Sequence, residues 1–135
     1  MSFYRVFAVA LLLLAHAGLH AQTWPSRPLK LVVPFPPGGT GDLLGRLAAK
    51  EMEVTLGQPV VVENRAGAGT LIGTESVIKA TPDGYTLFWG TPATVITPLL
   101  HKTPTYDVLK DLQPVSLATT QSMGVLVAAN IGINS

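Results

Sequence analysis

The stretch from Leu29 to Leu47, LKLVVPFPPGGTGDLLGRL, constrains the fold of this 135-residue chain more than any other. It begins with an apolar, β-branched run that ends at Val33 and is typical of a buried parallel strand. Prolines and glycines then end the strand, and Leu43, Leu44 and Leu47 follow on one face of a predicted helix. A strand, a glycine loop and a helix N-terminus in this order direct backbone N–H groups and the helix dipole at one point, which favours a bound anion.

This order recurs along the chain. We predict strands over 29–34, 59–63, 85–89, 115–119 and 125–128, with helices over 41–56, over 70–80 and from Pro92, and a short helix or turn over 106–112. The alternation predicts an α/β fold, with a parallel-type sheet flanked by helices. Three loops, at 35–42, 64–70 and 90–94, would then meet at the carboxyl edge of the sheet, where ligands bind in such folds.

The first predicted helix carries its own boundary signals. Thr40 fits the N-cap, Asp42 lies in the first turn where negative charge is favoured, and Gly57 fits a left-handed stop. We expect Asp42 to cap the helix or brace the loop rather than act as a general base. Arg65, in the second loop, has two interpretations: a partner for an anion, or a brace for loop carbonyls.

Charge and composition argue against several classes of function. Nine Lys and Arg against eight Asp and Glu give a net charge of +1, so no basic stripe for nucleic acid is expected. The chain has no cysteine, and neither a catalytic histidine arrangement nor a metal-ligand cluster is evident. Gly39 and Gly41 lack the third glycine of a dinucleotide motif, and no P-loop is present. We therefore predict no catalytic residues, no metal and no cofactor.

The first 21 residues have the pattern of an export signal. Arg5 precedes an apolar core from Val6 to Ala15, and small residues follow. That core is much shorter than the about 20 residues that span a bilayer. We predict a signal peptide over residues 1–21, cleaved after Ala21 with Ala17 as the alternative, and export to the periplasm. The competing interpretation is a buried core helix.

Four phrases, in one order and spacing, resemble the substrate-binding proteins of tripartite tricarboxylate transporters, the Bug or TctC family. They cover about residues 24–130 and read WPSRPLKLVVPFPPGG, GQPVVVENRAGAG, ATPDGYTLFWGT and TPTYDVLKDLQPVSL. The resemblance implies a monomeric, non-enzymatic, periplasmic binding protein with two lobes of the Venus-flytrap type. Such proteins capture di- and tricarboxylates, acidic amino acids or aromatic acids. They deliver them to membrane transporter subunits, or in some cases to a sensor.

The resemblance also implies which residues hold a ligand carboxylate. In the family, the first loop and the loop after the aromatic strand do so through backbone groups, hydroxyls and bridging waters. The matching positions here are Phe35, Gly38, Gly39, Thr40, Asp42, Gly90, Thr91 and Ala93. Two positions depart from the family pattern. Thr40 precedes Gly41 where the family often has G-G-G-T-D, and Thr97 stands where asparagine usually precedes the proline.

Length limits what the chain is expected to do alone. A two-lobed protein needs about 300 residues, so we predict that residues 22–135 form an incomplete N-terminal lobe and lack the second lobe. Half of a cleft would bind its ligand weakly or not at all. Two alternatives are a non-functional truncated remnant and a small α/β enzyme whose glycine loop binds phosphate.

Overall fold

The computed structural model describes residues 24–122 and 124. The elements are β1 (Leu29–Val33), α1 (Thr40–Leu56), β2 (Val60–Asn64), a 3-10 turn (Ala68–Thr70), α2 (Leu71–Ile78), β3 (Thr86–Phe88), α3 (Pro92–Leu99) and α4 (Val108–Asp111). The three strands form one parallel sheet in the order β2–β1–β3. This confirms the predicted α/β class with a parallel sheet flanked by helices.

The direction of the strand order reverses at β1. The chain leaves β1 through α1 to β2 on one side, and then returns through α2 to β3 on the other side. Because such crossovers are right-handed, α1 and α2 cover opposite faces of the sheet. The loops that follow β1 and β3 therefore diverge at the carboxyl edge, which is the usual ligand position in a sheet of this kind.

The central strand β1 carries the core because four of its five residues are apolar and buried, and they lie on both faces. On one face lies a cluster of buried residues, namely Leu29, Leu31 and Val33 of β1 with Ala49 of α1 and Val60 of β2. Val32 points to the opposite face and is also buried. Full burial of an aliphatic side chain contributes about 1.5–3 kcal/mol, so β1 is the element that the others are packed against.

Both covering helices approach the sheet through a glycine. A Cβ atom added to Gly45 of α1 would lie 2.8 Å from Cγ2 of Val33. A Cβ atom added to Gly73 of α2 would lie 2.8 Å from the carbonyl oxygen of Arg65 and 2.8 Å from Cβ of Pro34. Close contact at these points holds the helix N-termini near the carboxyl ends of the strands.

The boundaries of α1 are partly as predicted. Gly57 adopts the expected left-handed stop, with φ at 64°, and its N–H donates to the carbonyl of Glu53 at 3.0 Å. The prediction that Thr40 is the N-cap is wrong. Gly39 occupies that position with an extended backbone, and Thr40 is the first helical residue.

The second helix also begins later than predicted. It starts at Leu71 rather than at residue 70, because Gly69 and Thr70 have φ values of 62° and 88°, which interrupt a right-handed helical path. The predicted segment over 106–112 is confirmed as the short helix α4.

The predicted strand over 115–119 is wrong. These residues form no strand, and Val115 and Leu117 are 84% and 80% exposed. An extended segment becomes a strand only when a neighbour satisfies its backbone groups, and no strand in the described part of the chain lies beside it. The predicted strand over 125–128 and the predicted signal peptide over 1–21 lie outside the described residues. Between residues 24 and 122, no helix has the length and apolar character that a membrane span requires.

Candidate functional site

Three loops leave the carboxyl edge of the sheet next to one another: loop 1 (34–39) after β1, loop 2 (65–70) after β2 and loop 3 (89–91) after β3. Their starting points are fixed by the central strand. The N–H of Arg65 donates to the carbonyl of Val33 at 2.8 Å, and the N–H of Trp89 donates to that of Val32 at 2.9 Å. Loops 2 and 3 therefore flank loop 1, and each loop leads into helical structure.

Loop 1 is shaped by its glycines. Gly38 has a φ of 87°, a left-handed conformation that few other residues adopt without strain. The ring of Phe35 packs over Gly41, where an added Cβ would lie 2.7 Å from Cδ2 of the ring. Gly39 and Thr40 are exposed at the start of α1, where the first N–H groups have no partner within the helix.

Asp42 does not lie on the surface of this site. Its side chain is buried, and its carboxylate accepts hydrogen bonds from the N–H of Gly38 at 2.9 Å and from Nδ2 of Asn64 at 2.8 Å. Nε of Arg46, one helical turn later, lies 3.0 Å from the same carboxylate. The bond from Arg46, followed by those from Gly38 and Asn64, lowers the pKa of Asp42 to about 2.

Asn64 completes this arrangement from the end of β2. Its Nδ2 also donates to the carbonyl of Phe35 at 3.0 Å, and its Oδ1 accepts from Nη2 of Arg46 at 3.0 Å. We call Asp42, Arg46 and Asn64 the Asp42 cluster. It joins loop 1, α1 and β2. The roles of Arg46 and Asn64 were not predicted from the sequence, although the spacing of Asp42 and Arg46 is that of a helical ion pair.

Loop 2 is held differently. Gly67 and Gly69 have φ values of 138° and 62°, and Thr70 has one of 88°, which is unfavourable for a β-branched residue. The Thr70 side chain is buried, and its Oγ1 has no hydrogen-bond partner among the described residues. Oγ1 of Thr97 in α3 donates to the carbonyl of Gly69 at 2.8 Å. This bond, from one of the positions that departs from the family pattern, ties loop 2 to α3.

Loop 3 ends at the N-terminus of α3. Gly90 is exposed, Ala93 is half-buried, and Thr91 is the N-cap residue, whose N–H donates to Oγ1 of Thr94 at 3.1 Å. The Tyr106 hydroxyl donates to the carbonyl of Thr94 at 2.8 Å and anchors this turn from behind. The side chains of Thr91 and Thr94 form a capping box at this N-terminus.

The described part of the chain matches a known family. The model of the tripartite tricarboxylate transporter family receptor matches residues 44–135, which is more than half of the chain. The chain belongs to this receptor family. It is 45% identical to protein BugT of Bordetella pertussis in an alignment 124 residues long, which covers 87% of this chain and 38% of BugT. The resemblance inferred from the sequence motifs is thus confirmed.

Solved structures of similar sequence exist, although their overlap is short. The periplasmic binding protein BugD is 51% identical, with a TM-score of 0.47 over 48% of this chain and 22% of BugD. MatC of Rhodopseudomonas palustris, with bound malate, is 46% identical, with a TM-score of 0.47 over 48% of this chain and 22% of MatC. The chain therefore spans well under half the length of the relatives that it matches. The receptor family is not one of enzymes, which confirms the non-enzymatic prediction.

The arginines beside the receptor's three loops are already paired with carboxylates. The Arg65 side chain pairs with Glu63 rather than with loop carbonyls, and Nζ of Lys30 lies 2.8 Å from the same carboxylate. Lys30, followed by Arg65, lowers the pKa of Glu63. In residues 24–122, no group of three His, Cys, Asp or Glu side chains could hold a metal ion.

Two cavities lie away from the loops. One of about 200 Å³ lies between α1 and β2, and one of about 520 Å³ lies at the amino edge of the sheet beside Arg27 and Tyr85. Neither is lined by a residue of loops 1 to 3.

Proposed function

We propose that this chain supplies one wall of a solute-binding cleft that captures a small carboxylate in the periplasm. The carboxylate is a di- or tricarboxylate, an acidic amino acid or an aromatic acid, and it is passed to a transporter of the tripartite tricarboxylate type. The observation that carries the proposal is the position of loop 1 and loop 3, which follow neighbouring strands at the point where the strand order reverses. Membership of the receptor family agrees with this assignment.

The physical basis is attraction by backbone groups. Helices α1 and α3 begin at the carboxyl edge, and the N-terminus of each presents N–H groups and the positive end of a helix dipole. Arg46 and Arg65, the arginines adjacent to the loops, are both paired with carboxylates. An anion would therefore be held by local dipoles and hydroxyls. We assign the contacts with it to exposed or half-buried positions of loops 1 and 3, namely Gly39, Thr40, Gly90, Thr91 and Ala93.

Phe35, Gly38 and Asp42 belong to the same site in a different way. The Phe35 ring forms a packed side of loop 1, the Gly38 N–H is bound to Asp42, and the Asp42 carboxylate is buried. These three residues shape the wall behind the exposed contacts. Selectivity among carboxylates would then rest largely on groups that close over the open face.

An open face predicts low affinity for the 135-residue chain alone. Enclosure normally removes most of a ligand's surface from water, and one wall leaves much of it solvated. We expect malate and citrate to bind only in the millimolar range. Micromolar binding by this chain would contradict the half-cleft proposal.

Titration by two-dimensional ¹H–¹⁵N NMR tests the site directly. Malate or citrate should shift the amide signals of residues 38–42 and 90–94, with sodium chloride at equal ionic strength as the control. The amides of Leu56 and Gly57, at the far end of α1, serve as internal references. Absence of ligand-dependent shifts in both loops, in a folded chain, would contradict carboxylate binding and favour a non-functional remnant.

Export is a separate part of the proposal. Residues 1–21 would act as the signal peptide, and the exported protein would be a monomer that begins at Gln22. Cell fractionation followed by N-terminal sequencing tests this. A periplasmic product that starts at Gln22, or at Gly18 after the alternative cleavage, supports export, whereas a cytoplasmic product that retains Met1 argues against it.

A further inference from the structure

The Asp42 cluster places a buried carboxylate among polar side chains at the carboxyl edge of the described sheet. Asp42 is 4% exposed, whereas the Arg46 side chain is half exposed. The three residues come from α1 and β2, so they join two chain segments that are 18 or more residues apart. A buried carboxylate beside a proposed anion site needs an explanation, since its charge would repel an incoming carboxylate.

The hydrogen bonds of the cluster supply that explanation. The Asp42 carboxylate already accepts from Gly38, Arg46 and Asn64. Asn64 in turn donates to the Phe35 carbonyl and accepts from Arg46, so its amide is used at both ends. The negative charge is therefore offset by an adjacent guanidinium and is directed into the protein.

Outside the cluster itself, the hydrogen bonds of these side chains are with the backbone of loop 1. The bond to the N–H of Gly38 holds the residue whose φ of 87° sets the turn. The bond from Asn64 occupies the Phe35 carbonyl, an oxygen that would repel an anion if it were free to face the site. With those two groups fixed, the N–H groups at the start of α1 remain directed at the open edge.

From this geometry we infer that Asp42 and Asn64 are positioning residues that hold loop 1 in its anion-accepting shape without touching the anion. This inference rests on the proposed function and adds the means by which the site is preorganised. It assigns the Asp42 carboxylate a structural target, the Gly38 N–H, instead of a ligand. It also makes the pairing of a carboxylate with an amide, rather than either side chain alone, the feature on which binding depends.

Two single substitutions and their combination test whether binding depends on the pairing of Asp42 with Asn64. Asp42→Asn keeps the shape of the side chain but leaves two amides beside Arg46 with no carboxylate. Asn64→Asp places two carboxylates next to each other. The double variant Asp42→Asn/Asn64→Asp restores one carboxylate and one amide beside Arg46, but Gly38 then binds an amide oxygen and a carboxylate oxygen faces the Phe35 carbonyl. We expect each single variant to bind malate about tenfold more weakly, as the loss of a charge-assisted hydrogen bond implies. The double variant should be weakened by less than the two single losses combined, because the two side chains act as a pair.

The measurement is the same NMR titration with malate, together with the ligand-free signal of the Gly38 amide. That signal should move upfield in Asp42→Asn, because the N–H loses its bond to a carboxylate, and unfolding curves show that each variant is folded. Should Asp42→Asn fail to fold, Arg46→Lys tests the same link, since lysine keeps the charge but cannot bridge Asp42 and Asn64.

The outcomes separate the two proposals. If the wild-type chain shows no loop shifts with malate or citrate, the proposed function fails, and the positioning role fails with it. If the wild type binds and the folded single variants bind equally well, only the positioning role is overturned. A double variant that is as weak as the summed single losses also overturns it, because the two residues would then act independently.

Discussion

Loop 1 and loop 2 leave neighbouring strands at one edge of the sheet, but they are held by opposite means. Loop 1 is fixed by a charged side chain, since Asp42 binds the N–H of Gly38. Loop 2 is fixed by close packing. Gly73 has no side chain, so α2 can contact the carbonyl of Arg65 and the ring of Pro34. A loop can thus be immobilised by charge or by close packing, and only the first restraint should respond to pH.

Disrupting the close packing at Gly73 should have the largest effect on the free energy of unfolding. Gly73→Ala places a Cβ 2.8 Å from the Arg65 carbonyl oxygen, and backbone cannot move aside as a flexible side chain can. We expect the free energy of unfolding to fall by about 2 kcal/mol, typical of overpacking, as measured by urea denaturation.

Gly39→Ala in loop 1 is the matched control. The nearest atom to its added Cβ is the Pro36 carbonyl oxygen at 3.9 Å, and its φ of −83° suits any residue. Gly39→Ala should lower the free energy of unfolding by less than about 1 kcal/mol, the usual difference between glycine and alanine at an N-cap. Equal costs at the two positions would show that close packing does not hold loop 2.

Breaking the charged restraint should have a smaller effect that depends on pH. Folding lowers the pKa of Asp42 from its ordinary value of 3.8 to about 2, so its ionised form stabilises the fold. That contribution is complete above the ordinary pKa, and it is lost as the pH falls through the folded value. At neutral pH, Asp42→Asn should lower the melting temperature by about 5 °C.

The difference in melting temperature between wild type and Asp42→Asn should narrow as the pH falls from about 4 to about 2, because the wild-type carboxyl then becomes protonated. Asp83→Asn is the control, since Asp83 forms an exposed ion pair with Arg27 and such pairs contribute little. Thermal unfolding followed by circular dichroism provides the measurement. A gap that stays constant over this range would refute the charged restraint.

Removing the link between loop 2 and α3 should have a modest effect. Thr97→Val keeps the shape of the side chain and deletes the bond to the Gly69 carbonyl. We expect a loss of about 1 kcal/mol in urea denaturation, with the same size at neutral and acidic pH. Thr55→Val removes a hydroxyl bond within α1 and serves as the comparison. A larger loss from Thr55→Val would assign no special role to the Thr97 link.

The smallest predicted effect is a gain. Thr70→Gly relieves a φ of 88° and removes a buried hydroxyl that lacks a partner, although glycine adds freedom to the unfolded chain. The balance should raise the free energy of unfolding by about 0.5 kcal/mol. Thr81→Gly, at an exposed turn position outside the positive-φ residues, should lower it slightly. If Thr70→Gly is the more destabilising of the two, the Thr70 side chain stabilises loop 2 despite its strain.

Local patterns were sufficient to predict most of the fold. The run from Leu29 to Val33 is apolar on both faces and therefore reads as a central parallel strand, and Gly57 ends α1 where a left-handed residue is needed. The strand predicted over 115–119 failed because its apolar residues satisfy the pattern of a strand without having a neighbour to pair with. Pairing is a non-local property, so periodicity within one segment cannot establish it.

The sequence by itself determined the α/β class, the three loops and the family of this receptor, because these depend on residue order, local propensity and motif spacing. Only the tertiary structure decided what the residues of the first loop do. Asp42 and Asn64 are 22 positions apart, and the parallel pairing of β1 with β2 brings the end of β2 beside the start of α1. Burial there turns a carboxylate that could have faced a ligand into one that is bound to the loop itself.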